Sequence, residues 1–174
     1  MDTSNLDIYM KDSLVRTVFD IDDDHIKAVE RLIRTSNEYK VYIADKRLNE
    51  NKNRDILLPD YDFSDTKKAK LNLHHDITLY DLCSTAYNYL VQTTNSYIST
   101  FMVADLVMQW HYEDIVPYVF LSETAHGLYH DGKYAYPLDK VCGNYTILNQ
   151  LYRPYFTNAA LTEMDKLLEV HKDA

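Results

Sequence analysis

Two histidine-containing stretches dominate the sequence: residues 71–76 read Leu-Asn-Leu-His-His-Asp, and residues 124–130 read Thr-Ala-His-Gly-Leu-Tyr-His. In the second stretch His126 and His130 are four residues apart, a spacing that puts both imidazole rings on the same face of a helix. Two neutral imidazoles held in this way can bind one divalent metal ion. A single histidine is most often structural or exposed, but an adjacent pair combined with a helical pair predicts a metal site.

The first histidine stretch has the alternation of a β-strand, in which successive side chains point to opposite faces. His74 then shares a face with Asn72, and His75 shares the other face with Leu73. We therefore expect one histidine of the pair to face the metal and its neighbour to have a different role.

The rest of the chain has the pattern of a mostly helical protein, since only 3 glycines and 4 prolines occur in 174 residues. Apolar periodicity predicts helices at 25–48, 78–91, 97–111, 125–130, 145–156 and 158–171, and a short helix or arm at 1–20. Extended segments are predicted at 56–58, 69–75 and 134–141, with the first two paired as a hairpin. Pro117 favours an extended approach segment over 115–121 rather than a strand.

The charge distribution limits the classes of function. The chain has 18 basic and 27 acidic residues and a formal net charge of −9, which argues against simple nucleic-acid binding. Positive charge is concentrated in residues 27–70, and no Lys or Arg lies between Lys70 and Lys133. The interval that contains the histidines is therefore acidic, which suits a bound cation. Contacts with nucleic acid outside the metal site are expected from basic residues before that interval: Arg47, Lys52, Arg54, Lys67 and Lys68.

The sequence also predicts the cellular location. Cys83 and Cys142 form no closely spaced metal-binding or redox pair. Residues 1–20 carry charges that a signal peptide lacks, and no apolar run is long enough to span a membrane. These features predict a cytoplasmic protein with reduced thiols and no membrane partner.

The order of a strand, a histidine pair, an intervening segment and a short helix with two histidines resembles the ββα-metal motif of HNH (His-Me finger) endonucleases. The likeness is to the nuclease domains of DNase colicins and to small HNH-type proteins encoded by tailed bacteriophages. It covers residues 56–141 in detail, including the Thr-Leu-Tyr-Asp run at 78–81. It implies one α+β, mostly helical domain over residues 1–174, with a ββα-metal core, a helical insertion at 78–112, and N- and C-terminal helices.

The resemblance also implies roles for the histidines. His74, His126 and His130 would hold one divalent ion (Zn, Mg, Mn or Ni), and His75 would be the general base that activates water. A metal can polarise the scissile phosphate, and the unperturbed pKa of histidine, about 6.5, suits proton abstraction.

One position departs from the family pattern. HNH proteins have an asparagine shortly before the helix histidines, where this chain has Pro117 or a neighbour. Because that asparagine orients the base, another group must do so here, or the base is poorly oriented. Asp76 and His111 are candidate accessory residues. His111, within the insertion, could be a core residue, an extra ligand or a substrate contact.

Three classes of function remain open at this point. The first is a phage-encoded, metal-dependent endonuclease that hydrolyses DNA phosphodiester bonds in the infected bacterial host. The second is a catalytically weak or inactive protein on the HNH scaffold that binds a host or phage protein partner. The third is an acidic interaction protein without metal, whose 16 tyrosines form a partner surface. The histidine motifs favour the first class, whereas the net charge and the missing asparagine favour the second.

Overall fold

The computed structural model describes residues 23–48 and 71–172, which form a mostly helical α+β protein with a small antiparallel sheet. In chain order the elements are α1 (Asp23–Thr35), α2 (Asn37–Leu48), β1 (Leu71–His75), α3 (Leu79–Thr93), α4 (Thr100–Tyr112), β2 (Tyr118–Ser122), α5 (Glu123–His130), α6 (Tyr145–Tyr152) and α7 (Asn158–Lys172). Short 3-10 helices at Leu138–Lys140 and Arg153–Tyr155 lie on either side of α6. The predicted α+β, mostly helical class is confirmed.

The sheet consists of β1 and β2, which pair antiparallel although α3 and α4 lie between them in the chain. The register sets His75 opposite Tyr118. Pro117 immediately precedes β2, so its missing N–H removes no bond from the ladder. Its carbonyl accepts a hydrogen bond from the Asp76 amide at 3.2 Å. The prediction that Pro117 would keep residues 118–121 out of a strand was wrong.

Of the other two predicted strands, one lies outside the described residues and the other does not form. The predicted partner of β1, residues 56–58, lies outside the described residues, as does the predicted helix or arm at 1–20. The prediction of a strand over residues 134–141 was wrong, because this segment contains the 3-10 helix Leu138–Lys140. Pro137 begins that helix with its fixed φ, and proline cannot donate to a ladder.

The single helix predicted over residues 25–48 is two helices that meet at Ser36. The Ser36 hydroxyl donates to the Ile33 carbonyl at 2.7 Å and accepts from the Tyr39 amide at 3.2 Å. It therefore satisfies a backbone group at the end of α1 and another at the start of α2. The break allows α1 to pack on α3 and α4 while α2 lies against β1.

Helix starts elsewhere follow capping residues in the sequence. The hydroxyls of Thr78, Ser99 and Ser122 each accept a hydrogen bond from the amide three residues on, at the starts of α3, α4 and α5. Gly132, with a φ of 69°, follows the end of α5 as predicted. The two C-terminal helices also form close to the predicted positions.

The main core joins α1, α3, α4, α6 and α7 and includes Ile33, Trp110, Leu148 and Met164, all less than 2% exposed. Strand β1 lies beside this core with a different helix on each face. His75 contacts Tyr39 of α2, and His74 contacts α5. The alternation predicted for the histidine pair is therefore present in the fold.

We expect Gly143→Ala to destabilise the protein, because Gly143 has a φ of 96° and a Cβ there would lie 2.3 Å from the Val116 carbonyl oxygen. The strain should lower the free energy of unfolding by about 1–3 kcal/mol. Gly127→Ala is the matched control, since a Cβ at that position in α5 would meet no atom within 4 Å. It should raise the free energy of unfolding by about 0.5–1 kcal/mol. Urea denaturation of both variants tests this, and equal effects would contradict it.

Candidate metal centre

His74 of β1 meets His126 and His130 of α5. One ring nitrogen of each histidine lies within 4.8 Å of those of the other two. The Nε2 atoms of His126 and His130 are 2.9 Å apart, and the His74 ring centroid lies 5.3 Å and 5.9 Å from those of His126 and His130. The fold therefore brings together the three residues that were predicted as metal ligands; we call them the histidine triad.

The local sequence explains how the triad forms. β2 ends at Ser122, whose hydroxyl caps α5, so the helix begins directly where the strand ends. Helix α5 then turns back over both strands of the sheet. Its two histidines, one turn apart, lie over His74, which is on the face of β1 opposite His75.

The donor set fits a divalent transition metal. Two imidazole nitrogens bound to the same tetrahedral zinc ion lie roughly 3.3 Å apart, given Zn–N bonds of about 2.0–2.1 Å. The 2.9 Å between the Nε2 atoms of His126 and His130 is close to that separation, so this pair needs only a small adjustment of its rings. The ring nitrogen of His74 lies within 4.8 Å of both. Imidazole ligands suit zinc and nickel, whereas Mg²⁺ prefers oxygen ligands.

Burial keeps two members of the triad, His74 and His126, in the form that binds a metal. It lowers the pKa of His74 to about 4, with a further contribution from the nearby His126 and His130. The pKa of His126 is lowered as well, mainly by burial and then by His130. Neutral imidazoles offer lone pairs without first losing a proton.

Two tyrosines line the site beside His74. The ring centroids of Tyr129 and Tyr136 lie 4.7 Å and 5.6 Å from that of His74. The Tyr136 hydroxyl donates to Oδ1 of the buried Asp76, while Oδ2 has no hydrogen-bond partner in the described part of the chain. Burial raises the pKa of the Asp76 carboxyl. The sequence singled out Asp76 but missed both tyrosines, because tyrosine is too common in this chain to be a specific signal.

His75 points to the other side of the sheet, into the core, and is 9% exposed. Its ring stacks on Tyr39, and its Nε2 is 2.9 Å from Nε2 of His111. His111, at the end of α4, is fully buried, and its Nδ1 is 2.7 Å from the Val107 carbonyl oxygen. Of the three roles left open for His111, its position is that of a core residue bound to His75. Within the described ranges it does not belong to the group that could hold a metal.

The hydrogen bonds define the tautomers of this buried pair. A carbonyl can only accept, so Nδ1 of His111 carries the proton. Burial lowers the pKa of His111 to about 4 and that of His75 well below its usual value, so both rings are neutral. Nε2 of His111 is then an acceptor, and Nε2 of His75 must be the donor. The lone pair of His75 is consequently on Nδ1.

The predicted basic surface falls largely outside the described residues. Lys52, Arg54, Lys67 and Lys68 are not described, and Arg47 lies near the end of α2. The neighbouring Lys46 forms an ion pair with Asp114 at 2.8 Å. Contact of this surface with nucleic acid stays a prediction.

The fold and the histidine triad define an α+β protein with a candidate metal site. A family model described as bacteriophage G278-like virion protein matches residues 2–174, and the chain belongs to that family. The predicted phage origin is thereby confirmed, whereas the HNH resemblance and the cytoplasmic location stay predictions. No curated protein and no solved structure matches the chain. No helix in the described residues has the length and apolarity that crossing a membrane requires.

We expect the parent protein to bind one equivalent of Zn²⁺ or Ni²⁺ and the double variant His126→Ala/His130→Ala to bind none, because two of three nitrogen donors are lost. Elemental analysis after dialysis measures the stoichiometry. His171→Ala is the control, since that exposed histidine of α7 bonds to Tyr145 and lies outside the triad. One equivalent of metal retained by the double variant would place the site elsewhere.

The buried His111 should make stability fall in acid. Because its pKa is about 4 in the folded protein and about 6.5 unfolded, the unfolded chain binds more protons between these values. The free energy of unfolding should therefore decrease as the pH falls from about 6.5 to 4, by up to about 1.4 kcal/mol per pH unit for this group. Urea titrations of metal-free protein at pH 7 and 5 measure the slope. His111→Phe should reduce the slope, while the lowered pKa values of His74 and His75 maintain part of it. An unchanged slope would contradict the assignment.

Proposed function

We propose that this virion protein is a metal-dependent endonuclease of the HNH type that hydrolyses DNA phosphodiester bonds. The supporting observation is the convergence of His74, His126 and His130 from a strand and from the short helix that follows its antiparallel partner. This order of elements and this donor set are what the resemblance to ββα-metal nucleases implies. Membership of a phage virion family is compatible with a protein that acts on DNA.

In this proposal, residues on one face of β1 bind the metal and a residue on the other face acts as the base. The triad would hold the ion, which when bound would polarise a phosphate oxygen and stabilise charge on the leaving oxygen. His130 is exposed, so this side of the triad is open to a phosphate group. His75 would take a proton from the attacking water through its Nδ1 lone pair, which requires that water to reach the core side of β1 when substrate binds.

The charge of the protein sets a condition on DNA binding. A net charge of −9 repels a phosphate backbone. A cation at the triad would offset this repulsion locally, and the basic residues between 27 and 70 would contact the backbone further away. Binding to DNA should therefore depend on metal loading as well as on salt.

A second candidate function is a particle component on the same scaffold, in which the metal is structural and a protein is the partner. The specific observation in its favour is the burial of His75 behind Tyr39. A general base must reach the water that it activates, and this one is 9% exposed. Geometry in the absence of substrate does not exclude a base, since catalytic contacts often form only in the complex.

A plasmid-nicking assay with Zn²⁺, Ni²⁺, Mn²⁺ and Mg²⁺ tests the nuclease proposal. The metal-loaded parent should convert supercoiled DNA to the nicked form. His75→Ala should keep one equivalent of metal and lose roughly 10²–10⁴-fold in rate, because a positioned base contributes about that much. His171→Ala should cleave like the parent.

The other outcomes of this assay decide between the proposals. A parent that binds metal but nicks DNA with none of the four ions would favour the scaffold function. Loss of metal from His75→Ala would make His75 a ligand and remove it as the base. Full activity of His75→Ala would end the proposed mechanism.

A further inference from the structure

We propose that His111 is a positioning residue that fixes the orientation and the tautomer of His75, so that the lone pair of His75 lies on Nδ1. The role in cleavage rests on the proposed nuclease function, whereas the tautomer assignment rests on the contacts of the buried pair alone. His111 would thus do the work for which the resemblance leads one to expect an asparagine near Pro117.

A chain of hydrogen bonds with a fixed direction carries this inference. It starts at the Val107 carbonyl, which accepts from Nδ1 of His111 at 2.7 Å. It continues from Nε2 of His111, which accepts from Nε2 of His75 at 2.9 Å. Since a carbonyl cannot donate, the direction cannot reverse while both rings are neutral. The backbone of α4 therefore determines which nitrogen of His75 carries the proton.

Aromatic contacts hold both rings in place. Tyr39 stacks on His75 at a centroid distance of 6.3 Å and meets the edge of His111 at 5.9 Å. Tyr42 packs edge-to-face with His111 at 5.1 Å. Rotation of either imidazole would break these contacts together with the hydrogen bond, so the orientation is fixed as well as the proton position.

Hydrophobic packing alone does not explain why two imidazole rings are buried at this place. Burying a polar ring has a desolvation cost that an apolar side chain of similar size avoids. Each ring satisfies part of the other's hydrogen-bonding requirement, but two apolar residues would need no such compensation. A pair arranged to leave one defined lone pair is the arrangement that a base adjacent to a metal ligand requires.

The position of His111 also implies a role for α3 and α4, the helices between β1 and β2. His111 lies in the last turn of α4, and α3 and α4 form the helical segment that the resemblance treats as an insertion. This segment would supply the residue that orients the base.

The tautomer can be measured directly by NMR of the parent protein labelled with ¹⁵N-histidine, with and without Zn²⁺. We expect His75 to carry its proton on Nε2 and His111 on Nδ1 in both states. A proton on Nδ1 of His75 would overturn the inference. This measurement does not depend on cleavage, so it stands even if the parent nicks no DNA and the proposed function fails.

Variants test whether the hydrogen bond matters for cleavage. His111→Phe keeps a ring but removes the acceptor, whereas His111→Gln keeps an acceptor oxygen near the position of Nε2. We expect His111→Phe to retain one equivalent of metal, lose the single His75 tautomer and nick DNA about 10- to 100-fold more slowly. His111→Gln should restore the tautomer and most of the activity, which a purely structural role would not predict.

Tyr42→Phe is the matched control for packing around His111. It removes a hydroxyl that is buried without a hydrogen-bond partner in the described part of the chain and leaves both imidazoles untouched. This variant should cleave like the parent. Parental activity in His111→Phe, or no rescue in a folded His111→Gln, would show that His111 only packs. If His111→Phe does not fold, His111→Gln and the spectrum of the parent decide the question.

Discussion

The antiparallel register of β1 against β2 is the constraint on which the rest of the arrangement depends. It sets His75 opposite Tyr118 and leaves Ser122 at the exit of β2, where the hydroxyl starts α5. A slip by one residue would exchange the faces of β1, turning His75 toward α5 and His74 into the core. The Asp76–Pro117 hydrogen bond extends the pairing beyond His75 and opposes such a slip. The Tyr118–Cys142 bridge holds the start of β2 from its other edge.

His74 and His75 are adjacent in the sequence, but different side chains surround them. His74 is half-buried at the protein surface, with the nitrogens of two other imidazoles close by. His75 is enclosed by aromatic rings and has one nitrogen engaged by His111. Both are neutral at pH 7 because burial opposes their protonation, yet only His74 has the neighbours of a metal ligand. Among the residues that the structure describes, the sheet has two strands and separates a site open to solvent from a closed one.

Local patterns in the sequence were sufficient to identify the candidate metal ligands. They were not sufficient to identify the residues that pack around the histidines. Strand alternation separated His74 from His75, and the four-residue spacing placed His126 beside His130. The strand after Pro117 was missed because a proline just before a ladder resembles one inside it. The contacts of Tyr136 with Asp76 and of His111 with His75 join residues far apart in the chain. Periodicity contains no information about such pairings, and only the packed structure reveals them.

The position of α3 and α4 between the two strands has a consequence for the order of folding. The strands can pair only after this long loop has closed, at an entropic cost that neighbouring helices do not have. We therefore expect α3 and α4 to form early and the sheet to form late. The triad takes His74 from before that loop and both His126 and His130 from after it, so a partly folded chain does not have the complete set of ligands. Metal uptake would follow folding rather than guide it, and a chain made under metal limitation could be loaded later.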